Sequence, residues 1–218
     1  MTSKNLFDIC LHRLIGQIRY RPTLSSFDNV PKILRELEKD FEEWQARKHD
    51  DVVLFSPSKK KFLHTTSDFI TYVNEENEDA SELTKLVKTM FDANIEGSGI
   101  KEVRRIGVRS TQVFSCSLKY QELVDLFYRK LYSDNRKLQA ISTDNPRDVV
   151  FVLDGVKNNL WNHVQIGPMK KLEALKNFNA SFDIDGKDLK GDCYLFVDVD
   201  GFLSEGLTLK NACDKIAE

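Results

Sequence analysis

The sequence predicts an α+β fold: a twisted, mainly antiparallel sheet with helices packed on one face, arranged as two split β-α-β halves. Three observations carry this reading. Segments rich in β-branched and aromatic residues, such as 9–20 and 194–199, are bounded by turn-forming residues. Two stretches, 27–44 and 83–95, place apolar residues at helical steps. The elements alternate as β-α-β-β(-β)-α-β and then α-β-β-(β)-β-α, which sets one half over residues 1–116 and the other over 117–218, sharing one sheet.

Residues 9–20 read as a strand that stops at Arg21-Pro22, because proline brings no ladder donor. Phe27, Val30, Leu34, Leu37, Phe41 and Trp44 recur at three- and four-residue steps, making one apolar stripe on a long helix. Ser25, Ser26 and Asp28 are its candidate caps, and Pro31 is expected in its first turn. Segments 52–55 and 62–66 read as a hairpin around Lys59, Lys60 and Lys61, and 69–73 as a further strand. An acidic run at 75–79 leads into a second helix, closed by Gly97-Ser98-Gly99.

A strand from about 101 to 115 follows, and then a third helix with Ser117 as cap and Tyr120, Leu123, Val124, Phe127 and Leu131 on its inner face. Residues 133–147 are polar with few anchors and read as a mobile loop. Segment 149–153 turns back at Asp154-Gly155 or at 157–159 into a strand over 160–166. Segment 172–182 fits either a strand or a short helix. Asp185-Gly186 reads as a turn, 194–199 as an apolar strand and 207–217 as a last helical piece.

Composition narrows the class of protein. Of 218 residues, 41% are hydrophobic and 30% charged, enough to build a core. Basic and acidic residues nearly balance, 32 against 34, so no global field points to nucleic acid or an anionic membrane. The four cysteines, Cys10, Cys116, Cys193 and Cys213, are far apart among apolar neighbours and read as reduced core thiols. The four histidines form no ligand pair on a helix face. No run of about 18 apolar residues suggests a membrane span, and the N-terminal segment does not read as a signal peptide; the chain reads as cytoplasmic.

The chemistry-bearing residues cluster on two strands. Along 103–110, Arg105, Gly107 and Arg109 share a face by alternation. Two arginines flanking a glycine suit a phosphate or carboxylate, since guanidinium donates in a bidentate plane and glycine permits close approach. The competing reading pairs them with acids of the same sheet, foremost Asp198 or Asp200. Those two aspartates are weak candidates for a metal site and otherwise end a strand before an Asp-Gly turn. Lys59, Lys60 and Lys61 are further phosphate-binding candidates or solvated turn charges. Trp161-Asn162-His163, near a turn, offers a stacking surface or a core indole. No phosphate-cradling loop, dinucleotide fingerprint or nucleophile elbow is present, so no catalytic residue and no cofactor is assigned.

Three patterns in order, Ile18-Arg19-Tyr20-Arg21, Arg104-Arg105-Ile106-Gly107-Val108-Arg109 and Val197-Asp198-Val199-Asp200-Gly201-Phe202, carry a resemblance. Together they resemble a sporadically distributed bacterial and archaeal protein family with a central R-I-G-[LV]-R strand and a late D-x-D strand. Members typically carry the C-terminal helix further than Glu218. The resemblance implies a fold and brings no reaction or ligand; its sporadic occurrence implies an accessory component of a mobile or defence-type locus. The expected function is a non-enzymatic binding protein with a protein partner, as homo- or hetero-oligomer. The alternatives are nucleic-acid binding through Arg105, Arg109 and the lysines, and a metal-dependent phosphodiesterase.

Overall fold

The computed structural model describes residues 7–48, 50–75, 100, 102–133, 145–178 and 189–204. Their strands are β1 (Phe7–Tyr20), β2 (Glu43–Lys48), β3 (Asp51–Ser56), β4 (Lys61–Thr65), β5 (Phe69–Asn74), β6 (Val103–Cys116), β7 (Phe151–Lys157), β8 (Leu160–Lys170) and β9 (Cys193–Leu203). The helices among these residues are α1 (Leu24–Leu37), α2 (Tyr120–Tyr128) and α3 (Lys171–Phe178). The strands form one antiparallel sheet in the order β2-β3-β4-β5-β1-β6-β9-β8-β7. Among the described residues strand therefore predominates, and the helices are less prominent than an α+β reading implies.

The largest departure is at α1. The helix ends at Leu37, a single 3-10 turn (Glu38–Asp40) follows, and Phe41 is already extended. Residues 43–48 then pair with β3, Trp44 opposite Leu54 and Ala46 opposite Val52. The three-residue step from Phe41 to Trp44 suits a helix, but ladder bonds along the free side of β3 hold this stretch extended. Trp44 is consequently 62% exposed instead of closing an apolar stripe.

The cap also differs. Thr23 is the N-cap, accepting from the Ser26 backbone at 3.0 Å, while the Thr23 amide donates to Ser26 Oγ at 2.8 Å. This reciprocal box uses Ser26 three residues inside the helix, not at its start. Pro31 lies mid-helix on the exposed side instead of in the first turn. For α2, Lys119 replaces Ser117 at the N-cap, with the Glu122 carboxylate accepting from the Lys119 amide at 2.9 Å. Leu123 and Val124 of α2 are buried, whereas Leu131 is exposed.

The turn into β8 falls at Asn158 and Asn159, both with positive φ (54° and 67°), as a two-residue type I′ hairpin requires. Segment 172–182 resolves as a helix over Lys171–Phe178. The expected elements at 83–95, 97–99, 185–186 and 207–217, and most of the 133–147 loop, lie outside the described residues.

The chain divides into two compact units, each drawn from separated stretches. Residues 1–12, 111–155 and 162–199 form the first. Its core joins Val113, Ala174, Phe178, Leu189, Tyr194 and Phe196, so α3 packs on residues of β6 and β9. Residues 13–110, 156–161 and 200–218 form the second. Its core gathers Leu14, Ile18, Tyr20, Leu37, Leu54, Leu63, Ile70, Tyr72, Val103, Ile106 and Leu203, with Phe41 and Val108 against it. Here the registers Ile18↔Ile70, Leu63↔Tyr72 and Leu54↔Leu63 align the apolar alternation of four strands on one face. No helix among the described residues is long and apolar enough to cross a membrane.

Candidate functional site

The second unit assembles the residues that the sequence singles out around one glycine. Arg105 on β6 donates from Nη2 to Asp200 Oδ2 of β9 at 3.1 Å. Its guanidinium carbon also lies 4.1 Å from the centre of the Phe202 ring. Phe202 in turn lies parallel to Trp161 of β8, with ring centres 6.2 Å apart and planes within 9°. The sequence reason for this packing is Gly107. A Cβ there would sit 3.0 Å from Phe202 Cβ and 3.1 Å from the Gly201 carbonyl oxygen, so any larger residue would push β9 back by a few tenths of an ångström.

The space expected between Arg105 and Arg109 thus receives a phenylalanine from the neighbouring strand. Arg105 is turned onto that ring and held by Asp200 instead of standing beside an empty notch. Arg109 is exposed, as is Arg104. Val156 extends the row: a two-residue loop sets Lys157 opposite Leu160, and therefore Val156 opposite Trp161. Val156, Trp161, Phe202 and Arg105 all belong to the second unit. Trp161 is 48% exposed and Val156 is exposed too, so water covers apolar surface here that a partner can displace.

The lysines belong to a different setting. Lys59 ends the 3-10 turn between β3 and β4 and is exposed, and Lys60 adopts the left-handed conformation at φ 44°. Lys60 is half-buried, its carbonyl accepting from the Glu75 amide at 2.9 Å. The Lys61 ammonium lies 5.6 Å from the centre of the Phe41 ring. Glu42 hydrogen-bonds the Ser58 hydroxyl of the same turn. This is a basic turn with acids built into it.

Close by, Glu75, the residue after β5, is a buried acid, its side chain 3% exposed and paired with Arg13 of β1 at 2.5 Å. Burial raises the Glu75 carboxyl above its ordinary value, against the downward pull of Arg13 and Lys60. Its second oxygen is buried with no hydrogen-bond partner.

In the first unit, Asp198 is buried and accepts from Thr111 Oγ1 at 2.7 Å, a hydrogen bond that ties β9 to β6. Among the described residues no group of three or more His, Cys, Asp or Glu side chains is placed to hold a metal ion.

Arg105, Gly107, Asp200 and Trp161 stand out in the sequence, but their assembly does not, because it needs the register of β6, β9 and β8. The one local signal was the aromatic after the D-x-D pattern. No protein-family model and no curated protein matches the chain.

Proposed function

We propose that this protein is a non-enzymatic binding component whose contact surface for a protein partner is the row Val156, Trp161, Phe202 and Arg105. The observation that supports this most is the exposed Trp161 indole, stacked on Phe202, with the Arg105 guanidinium on that same ring. Tryptophan and arginine dominate the energetics of protein interfaces because each buries a large, rigid, partly apolar surface. The Asp200 pairing and Phe202 stacking hold the Arg105 side chain in one geometry, so little entropy is lost when a partner covers it. Membership of the family with the central R-I-G-[LV]-R strand, and a place in a mobile or defence-type locus, belong to the same proposal and rest on sequence pattern alone.

A second reading, binding of single-stranded nucleic acid, draws on the same platform, since unstacked bases also stack on aromatic rings. The exposed Arg104, Arg109 and Lys59 would then track the phosphates. Salt separates the two. Phosphate contacts release counterions, so retention on an oligonucleotide falls steeply as salt rises. On the protein-partner reading, an oligonucleotide column does not retain the chain even at low salt. Strong low-salt retention that is lost on Trp161→Ala would overturn that reading in favour of nucleic acid.

A further inference from the structure

The first unit brings two of the four cysteines together. β6 and β9 are neighbours in the sheet, and Thr111 and Asp198 face each other across them. In an antiparallel pair, five residues forward from Thr111 and five back from Asp198 bring Cys116 opposite Cys193. Cys116 is the last residue of β6 and Cys193 the first of β9, as the two ends of one ladder should be. Both are free thiols, and Cys116 is the one side chain that, after burial, raises the Cys193 thiol, as a neighbour in the ladder would. Directly opposed residues of antiparallel strands have Cα atoms about 4.5–5.5 Å apart. That lies inside the roughly 4.4–6.8 Å that disulfides span.

The two sulfurs differ in access and environment. Cys116 is half-buried, whereas Cys193 is 3% exposed. The Leu118 amide donates to Cys116 Sγ at 3.4 Å. Cys10, the remaining described cysteine, donates to the Val113 carbonyl at 3.1 Å instead.

We propose that Cys116 and Cys193 form a reversible redox site, in which a peroxide oxidises Cys116 and Cys193 resolves it to an intramolecular disulfide. In the first step the Cys116 thiolate attacks a peroxide oxygen. The S–O bond forms as the O–O bond breaks, and the departing hydroxide takes up a proton to become water. The Cys193 sulfur then gives up its proton and attacks the Cys116 sulfur, so the S–S bond forms, the S–O bond breaks and a second water leaves. Two thiols and one peroxide become one disulfide and two waters, with two electrons passing from sulfur to oxygen. Burial, and then the charge and hydrogen bond of Cys116, push the Cys193 thiol up to about 12. Oxidation of Cys116 removes its own share of that rise, while the larger share, from burial of Cys193, remains. An external dithiol reverses the reaction by exchange.

The test uses the full chain treated with hydrogen peroxide, alkylated, digested without reductant and mapped by mass spectrometry. The expected product is a Cys116–Cys193 linked peptide pair that dithiothreitol separates. Cys10→Ser leaves the pair in place, and Cys116→Ser abolishes it. In Cys193→Ser, Cys116 accumulates as a sulfenic acid that dimedone traps. If Cys193→Ser does not fold, the wild-type map decides alone. Oxidation of Cys116 with Cys193 still fully alkylated, or a predominant link to Cys10 or Cys213, overturns the proposal.

Discussion

Replacing Arg105 with alanine separates a binding role for this side chain from a structural one. The substitution removes one ion pair and one ring contact. The Arg105 and Asp200 side chains are 30% and 26% exposed, so water screens their attraction. A pair of this kind contributes about 0.2–1 kcal/mol, and a guanidinium on a partly exposed ring adds about 0.5–1 kcal/mol. Asp200 keeps enough access to be hydrated once alone, so no large penalty is added. The expected loss is about 0.7–2 kcal/mol in all, which for a chain of this size lowers the melting temperature by about 1–8 °C. The assay is urea denaturation followed by far-UV circular dichroism, which does not depend on Trp161. Arg105→Lys, which keeps charge but not the planar stack, should recover only part of the loss. A loss above about 3 kcal/mol, or a transition that is no longer cooperative, would refute this reasoning and make Arg105 a structural keystone.

Other perturbations have equally definite outcomes. Gly107→Val forces side-chain atoms against Phe202 and the Gly201 carbonyl, so equilibrium unfolding should show a loss of about 1–3 kcal/mol; Gly107→Ala should lose less. Thr111→Val removes a hydrogen bond to the buried Asp198 carboxylate, and the same assay should read about 1.5–3 kcal/mol. Glu75 gives a pH signature. A carboxyl with a raised native pKa holds its proton more tightly folded than unfolded, so its stabilising contribution is complete below the ordinary value of 4.5 and is lost as pH rises through the raised one. The stability difference between wild type and Glu75→Gln, followed from pH 4 to 8, should move in that direction; a flat difference would mean that Arg13 fully offsets the burial.

Much of the sheet is legible locally. β1, β3, β4, β5, β6 and β9 announce themselves by apolar and β-branched runs between turn residues, and Asn158-Asn159 carries its own turn chemistry. β2 does not, because an edge strand reading Glu43-Trp44-Gln45-Ala46-Arg47-Lys48 buries none of its residues and so has no apolar alternation to read. The end of α1 was hidden for a related reason: two residues at helical spacing, Phe41 and Trp44, do not outweigh the ladder bonds available from β3. At the site, Asp200 is nameable as a partner of Arg105 from the sequence. The filling of the Gly107 notch by Phe202, and the meeting of Cys116 with Cys193, both depend on the β6–β9 register. Contacts between residues 95 and 77 apart in the chain leave no local pattern.

On the proposed function a protein covers the Trp161–Phe202–Arg105 surface, and a photo-crosslinking residue at position 161 tests this where the contact would be made. Benzoylphenylalanine in place of Trp161, irradiated in cells that express the chain with its natural neighbours, should give a discrete protein adduct, either to a second copy or to another polypeptide. The adduct should disappear with Arg105→Ala and persist when Trp44, on the exposed β2 strand, is changed to Ala. Nuclease-sensitive adducts, or a yield at position 161 no greater than at position 44, would contradict the account.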